Sequence, residues 1–164
     1  MKTKYRKAAK HKREILRAAG PDMLAMTLKL AQQVPEYDRI RLETSLSMTV
    51  ETICHGAGQP SDFDFLLEAV CTARARSRAI KDEQTRDACH EVAEAGMLAL
   101  QSMRARYLKH GRLGFTGPEL LDVRAALDLY YQFLANCTRG QIATALKQAV
   151  EEIRSADCAK EVAV

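Results

Sequence analysis

The stretch Gly111-Arg-Leu-Gly-Phe-Thr-Gly-Pro-Glu119 separates two long helical patterns and decides the fold. Its three glycines end the helix before it, and Pro118 with Glu119 begins the helix after it. Thr116 and Glu119 have the spacing of a capping box, in which each side chain bonds an orphan amide of the first turn. The joint therefore predicts two helices that fold back on each other.

The composition of the 164-residue chain favours a single helical domain. Apolar residues make up 47% of the chain, Trp is absent, and there are only 4 Pro and 8 Gly. Such a shortage of turn-forming residues is typical of helices. We predict an all-α antiparallel helical bundle of about five to six helices. Its predicted divisions are a basic N-terminal helix or arm (1–20), the helical bundle (21–156) and a frayed tail (157–164).

Apolar spacing and capping residues place the other helices. A short helix is predicted from Asp22 to about Gln33. A longer one runs from Pro35-Glu36 to about Cys54, and the next is capped by Ser61 or Asp62. Another runs from about Asp82 to His110, and the last has the Thr138/Gln141 capping spacing. The helix that ends at Cys54 carries two apolar stripes, which predicts burial on two sides: Ile40, Thr44, Ser47, Val50 and Cys54 on one, and Leu42, Leu46, Thr49 and Ile53 on the other.

The net charge of +4 hides a strong asymmetry. The first 17 residues hold eight cations and one acid, Glu14, whereas the rest of the chain holds 17 cations and 20 acids. A segment of this charge density can neutralise several phosphates. The alternative is a solvated segment that wraps an acidic protein surface. The predicted nucleic-acid-binding residues are Lys4, Arg6, Lys7, Lys10, Lys12, Arg13 and Arg17.

Other cations have a simpler explanation. Arg74, Arg78 and Lys81 share a helix face and could extend a phosphate-binding track. However, acidic residues begin that helix and cations end it, and the next helix repeats this order. This layout complements the helix macrodipole, so we favour a structural role.

Catalytic and metal-binding motifs are not recognisable in the sequence. The five cysteines are odd in number, widely spaced and without a CxxC pair, which predicts a reduced, cytoplasmic protein. Cys54-His55 and Cys89-His90 diverge on their helices and make a poor zinc set. No phosphate-binding loop or nucleophile elbow occurs. We therefore predict no enzyme activity, no cofactor and no metal, and the lack of a long apolar run predicts no membrane segment.

Two segments carry a resemblance to known proteins. Residues 1–7 and 107–120, with Ala126-Leu-Asp128 behind them, resemble small uncharacterised all-helical proteins of proteobacterial genomes, prophages and plasmids. Some of these are loosely labelled Fis-type transcriptional regulators. The resemblance implies an accessory or regulatory protein of a mobile element.

A Fis-type protein would carry a helix-turn-helix near its C-terminus. The candidate segment is 133–147, but the last helix continues through Glu151 and Glu152 where a groove-inserted helix is basic. Because of these acidic residues, we do not assign a helix-turn-helix to this segment.

These observations lead to two functional expectations. The first is a non-enzymatic regulatory or accessory protein that contacts nucleic-acid phosphates through its basic N-terminal segment. If the protein forms a homodimer, the two basic segments would bind the nucleic acid in a fixed register. The second is a mobile-element protein that binds and inhibits or redirects a host protein complex, with the basic segment on an acidic surface.

Overall fold

The computed structural model describes residue 26 and residues 28–161, with side chains as far as 155. The predicted basic arm, 1–20, lies outside the described residues. Five long helices follow one another, here named α1 (Glu36–Cys54), α2 (Pro60–Ser77), α3 (Glu83–His110), α4 (Gly117–Asn136) and α5 (Arg139–Glu161). Residues 28–31 are also helical. In this part of the chain the only β pairing is an isolated bridge between Gln33 and Thr138, so the all-α prediction is confirmed.

The joint between α3 and α4 has the predicted chemistry. Gly111 ends α3 with a φ of 70°, a left-handed conformation that glycine adopts without a Cβ penalty. Its N–H donates to the Tyr107 carbonyl over 2.7 Å. Thr116 and Glu119 form the predicted capping box, and the Thr116 N–H donates to a Glu119 carboxylate oxygen over 2.8 Å. The helix itself begins at Gly117, two residues before Glu119, because the capping residue precedes the first turn.

A second contact closes the same joint. The Arg106 guanidinium donates to both oxygens of Glu119, at 2.6 Å for the first, and to the Gly114 carbonyl over 2.9 Å. The Glu119 side chain is only 14% exposed. The Arg106 hydrogen bonds lower the pKa of Glu119 from 4.5 to about 2. One carboxylate therefore caps α4 and ties it to α3.

The other helix starts agree with prediction except at α2. In α5 the Thr138 N–H donates to the Gln141 side-chain oxygen over 2.9 Å, which confirms that capping pair. The predicted Ser61 or Asp62 cap is wrong. Gln59 is the capping residue, Pro60 occupies the first helical position, and the Gln59 N–H donates to Asp62 over 2.8 Å. Proline suits that position because its missing N–H is not needed there.

The central helix is α2, which packs against each of the other four. Leu66, Val70 and Ala73 on α2 have no exposed surface. The opposing side chains come from α1, α3 and α4, where Leu46, Leu100 and Val123 are equally buried. Within the described residues, no helix is long and apolar enough to cross a bilayer.

Helix α1 is buried on one side only. Leu46, Thr49 and Ile53 face the bundle, as one predicted stripe requires. The other stripe is mostly exposed: Ile40, Thr44, Ser47 and Cys54 lie at the surface, and only Val50 is buried. The prediction of two-sided burial is therefore wrong, because the described residues supply neighbours to only one face of α1.

Close packing of α3 on α4 depends on Gly96. A Cβ added at Gly96 would lie 2.5 Å from the Cβ of Ala126, far inside contact distance. We expect Gly96→Ala to lower the free energy of unfolding by about 1 kcal/mol, because overpacking outweighs the gain in helix propensity. Urea denaturation measures this change.

The partner substitution provides the control. Ala126→Gly removes the clashing methyl group, so the double variant should lose less stability than the sum of the single variants. Strict additivity of the two changes would contradict a direct contact between these positions.

Candidate functional site

None of the seven predicted nucleic-acid-binding residues, Lys4 to Arg17, falls within the described residues. An extended surface depression lies between the end of α2 and the middle of α5. An open groove of about 690 Å³ is lined by polar residues, among them Arg74, Arg78, Glu151 and Glu152. A neighbouring groove of about 390 Å³ shares Ala75, Ala79 and Gln148 with it. We call the two together the α2–α5 groove.

An ion network occupies the wall of the α2–α5 groove. Arg74 bonds Glu152 of α5 over 2.8 Å and Glu94 of α3 over 3.3 Å. Arg78 also pairs with Glu152. The Arg74 side chain is only 16% exposed, and its guanidinium joins three helices at one point. The network therefore fastens α5 and α3 to the central helix.

This network bears on the phosphate track considered for Arg74, Arg78 and Lys81. Two of the three cations are balanced by Glu94 and Glu152. A phosphate entering the groove would have to compete with carboxylates already bonded to these arginines. The geometry favours the structural role, and both arginines also lie at the carboxyl end of α2, where the macrodipole stabilises cations.

The other end of the α2–α5 groove adjoins the helix-turn-helix candidate, 133–147. Here α4 ends at Asn136 and α5 begins at Arg139, so only two residues link them. The Arg76 guanidinium covers this link, with its Nε donating to Cys137 Sγ over 3.2 Å. Ala145 on α5 is buried, and α5 packs against α2. A reading helix needs a free, basic face, whereas α5 presents two glutamates to the groove.

Three side chains, one of them Glu94 of the ion network, have the identities of a catalytic triad. Ser77 Oγ lies 3.5 Å from His90 Nδ1, and His90 Nε2 lies 3.6 Å from Glu94. Ser77 has no exposed surface, and its hydroxyl donates to the Arg74 carbonyl over 2.7 Å. A nucleophilic serine needs an open approach and a hydroxyl proton directed at its base. These three side chains therefore have a structural role. Sequence reasoning missed it because the serine and the other two residues lie on different helices.

Three of the four described thiols, Cys54, Cys71 and Cys89, are poor nucleophiles. Burial raises the pKa of Cys71 to about 11, and it also raises the pKa of Cys54 and Cys89. Cys71 lies 3.4 Å from the Met97 sulfur in the core. A raised pKa depletes the reactive thiolate at neutral pH. Among the described residues, His, Cys, Asp and Glu form no group of three or more that could hold a metal ion.

Comparison with known proteins finds no match among family models, curated proteins or solved structures. The resemblance to helical proteins of prophages and plasmids stays a prediction. The geometry of the bundle and the charge layout of the chain are the basis for a functional proposal.

Proposed function

We propose that this protein is a non-enzymatic accessory or regulatory protein that contacts nucleic-acid phosphates through its basic N-terminal segment, with the bundle as a folded support. The observation that carries this proposal is the charge segregation. Eight cations and one acid occupy residues 1–17. The one acid within this segment cannot neutralise its eight cations. The phosphates of a nucleic-acid backbone can, and the counterions released on binding favour the complex.

The bundle supports the proposal by the way it uses its own cations. Each ion pair joins two helices or stabilises one, and the paired arginines are Arg74, Arg78, Arg86, Arg106, Arg124 and Arg139. These six arginines serve intramolecular contacts. The N-terminal segment, where the cations of the sequence are most concentrated, is therefore the preferred place for phosphate contacts. Base discrimination should be low, because the described part of the chain presents no reading helix.

The proposal is tested by neutralising the predicted site in the full-length chain. A variant with glutamine at Lys4, Arg6, Lys7, Lys10, Lys12, Arg13 and Arg17 should bind duplex DNA and RNA at least about 100-fold more weakly at low salt. The slope of log K against log salt concentration should be about −6 for the wild type on duplex DNA if all seven cations contact phosphates, and near zero for the variant. Fluorescence anisotropy across a salt series measures both quantities.

A matched variant controls for net charge. It carries glutamine at seven exposed cations of the bundle: Lys29, Lys81, Arg104, Lys109, Arg112, Lys147 and Arg154. We expect this variant to keep most of the wild-type affinity and slope. Equal losses in the two variants would mean that total charge, not the basic segment, drives binding. Equally weak binding by the wild type and both variants at low salt would remove the proposal.

The second candidate is a protein that binds a host protein complex, with the basic segment on an acidic surface. It is favoured by exposed apolar side chains near the start of the bundle, including Leu28 at 60% and Tyr37 at 74% exposure. Stoichiometric capture of one host protein by the wild type, lost in the variant with seven N-terminal glutamines, would support it. Nucleic-acid binding must then be absent at low salt.

A further inference from the structure

The chain that leads into α1 lies against the first turn of α5. The Arg139 N–H donates to the Gln32 carbonyl over 2.8 Å, and Gln33 forms an antiparallel bridge with Thr138. In an antiparallel arrangement, the numbers of paired residues change in opposite directions. The chain before Gln32 therefore starts out along α5 in the direction of the α2–α5 groove.

Gly140 makes room for this part of the chain. A Cβ added at Gly140 would lie 3.0 Å from the carbonyl oxygen of Leu30 and 3.4 Å from its Cβ. The φ of Gly140 is not left-handed, so the backbone does not require glycine at this position. The missing side chain instead lets Leu30 approach α5 at the rim of the α2–α5 groove, which Gly140 also lines.

At this end the α2–α5 groove is open and has small side chains. Its volume here is about 390 Å³, and its lining includes Ala75, Ala79 and Ala145. The chain at the rim exposes large apolar side chains, 59% of Met26 and 38% of Leu30. An open groove with small side chains therefore begins beside apolar side chains that the described residues leave uncovered.

We propose that residues 22–31 form a helix that closes onto the α2–α5 groove. Met23, Met26 and Leu30 form its buried face, because spacings of three and four residues put them on one side of a helix. Methionine suits a shallow, irregular groove because its side chain is flexible. The occupant is the chain's own segment, since attachment at the rim gives it a higher effective concentration than a separate molecule has.

The register follows from the contact at Gly140. One turn along each antiparallel helix from that contact brings Met26 opposite Thr144. A second turn brings Met23 opposite Gln148. Both α5 residues are exposed, and both line the α2–α5 groove.

Docking of residues 22–31 is independent of nucleic-acid binding. Gly20 and Pro21 come directly before this segment, and both residue types interrupt helices. The docked helix and the basic segment are therefore separate units. The cations of residues 1–17 stay available for phosphates when the groove is closed.

Disulfide formation within one full-length chain tests the docked geometry. In a Cys54→Ser/Cys158→Ser background, Met26→Cys/Thr144→Cys should give at least about ten times the disulfide yield of Leu28→Cys/Thr144→Cys. Leu28 is the matched control because it is 60% exposed and two residues from Met26, on the opposite side of the helix. Mass spectrometry of tryptic peptides identifies the bond.

Hydrogen exchange tests whether the apolar face holds the segment. In the full-length chain, Met23→Glu/Met26→Glu should speed amide exchange of residues 24–31 about tenfold or more relative to the wild type. The same change on the other face, Leu24→Glu/Leu28→Glu, should leave the rates within about twofold. Thermal unfolding of the bundle should be the same in both variants, since the bundle core is unchanged.

Any of three results would overturn this docking. Equal disulfide yields at Met26 and Leu28 would mean a tether without a docked face. Exchange of residues 24–31 at random-coil rates in the wild type would mean that no helix is docked. A disulfide from Met26→Cys/Thr144→Cys that forms only between two chains would assign the groove to a second copy.

Discussion

Leu100→Ala should lower the free energy of unfolding by about 3–5 kcal/mol, the largest stability effect that we expect from one substitution. Leu100 lies on α3, has no exposed surface, and belongs to the main apolar cluster, to which all five long helices contribute. Truncation removes buried methyl groups and leaves a cavity that close-packed helices cannot fill. Thermal unfolding followed by circular dichroism should show a midpoint lowered by roughly 10 °C or more.

Leu98→Ala is the matched control for this substitution. It makes the same chemical change two residues earlier on α3, where the side chain is 61% exposed. Both variants gain the same helix propensity, so the comparison isolates burial. The Leu98 variant should stay within about 0.5 kcal/mol of the wild type. Similar losses at the two positions would contradict the orientation of α3.

Glu119→Gln should cost about 2 kcal/mol of stability at pH 7 and much less near pH 2. Glutamine can still accept from the Thr116 N–H, so the capping box keeps one of its bonds. It cannot offer two charged oxygens to Arg106. The variant therefore separates the tie between α3 and α4 from the cap of α4.

The pH dependence follows from the lowered pKa of Glu119. The folded protein holds that pKa at about 2, below the usual value of 4.5. The resulting stabilisation is present above about pH 4.5 and is lost as the pH falls from there towards 2. The stability difference between wild type and Glu119→Gln should shrink over this window, as measured by urea denaturation at a series of pH values. A difference that is constant from pH 7 to pH 2 would contradict the Arg106 contact.

A second glutamate gives the comparison for Glu119. Glu83 also lies in the first turn of a helix, and it pairs with Arg86, but its side chain is 82% exposed. Exposed pairs of this spacing contribute little, because water screens them and two side chains must be ordered. Glu83→Gln should therefore change stability by less than about 0.5 kcal/mol at either end of the pH range.

Helix ends are well predicted because their signals are local. Gly111, Thr116 with Glu119, and Thr138 with Gln141 act within one turn of the backbone that they cap, so the chain order contains all the information needed. The exception is α2, where Gln59 replaces a more typical capping residue. Pro60 still marks the start of α2 in the sequence, because proline suits the first position of a helix.

The candidate site also has one feature that the sequence predicts and one that only the tertiary structure shows. Charge segregation at residues 1–17 follows from the sequence alone, since charge depends only on residue type. The α2–α5 groove does not, because Arg74 and Glu152 are 78 positions apart and meet only when α5 packs on α2. The macrodipole explained why Arg74 stands at a helix end, but it could not supply its partners.

By itself, the sequence determined an all-α chain with glycine and capping-box joints and a basic N-terminal segment, because these properties depend on residue type and on neighbours within one turn. Only the tertiary structure decided which stripe of α1 faces the core and which acids neutralise the arginines of α2. Both stripes of α1 have helical periodicity, and periodicity describes a face without saying what lies against it. Packing between helices that are distant in sequence determines which stripe is buried: Leu46 lies in the core, and Ile40 lies at the surface.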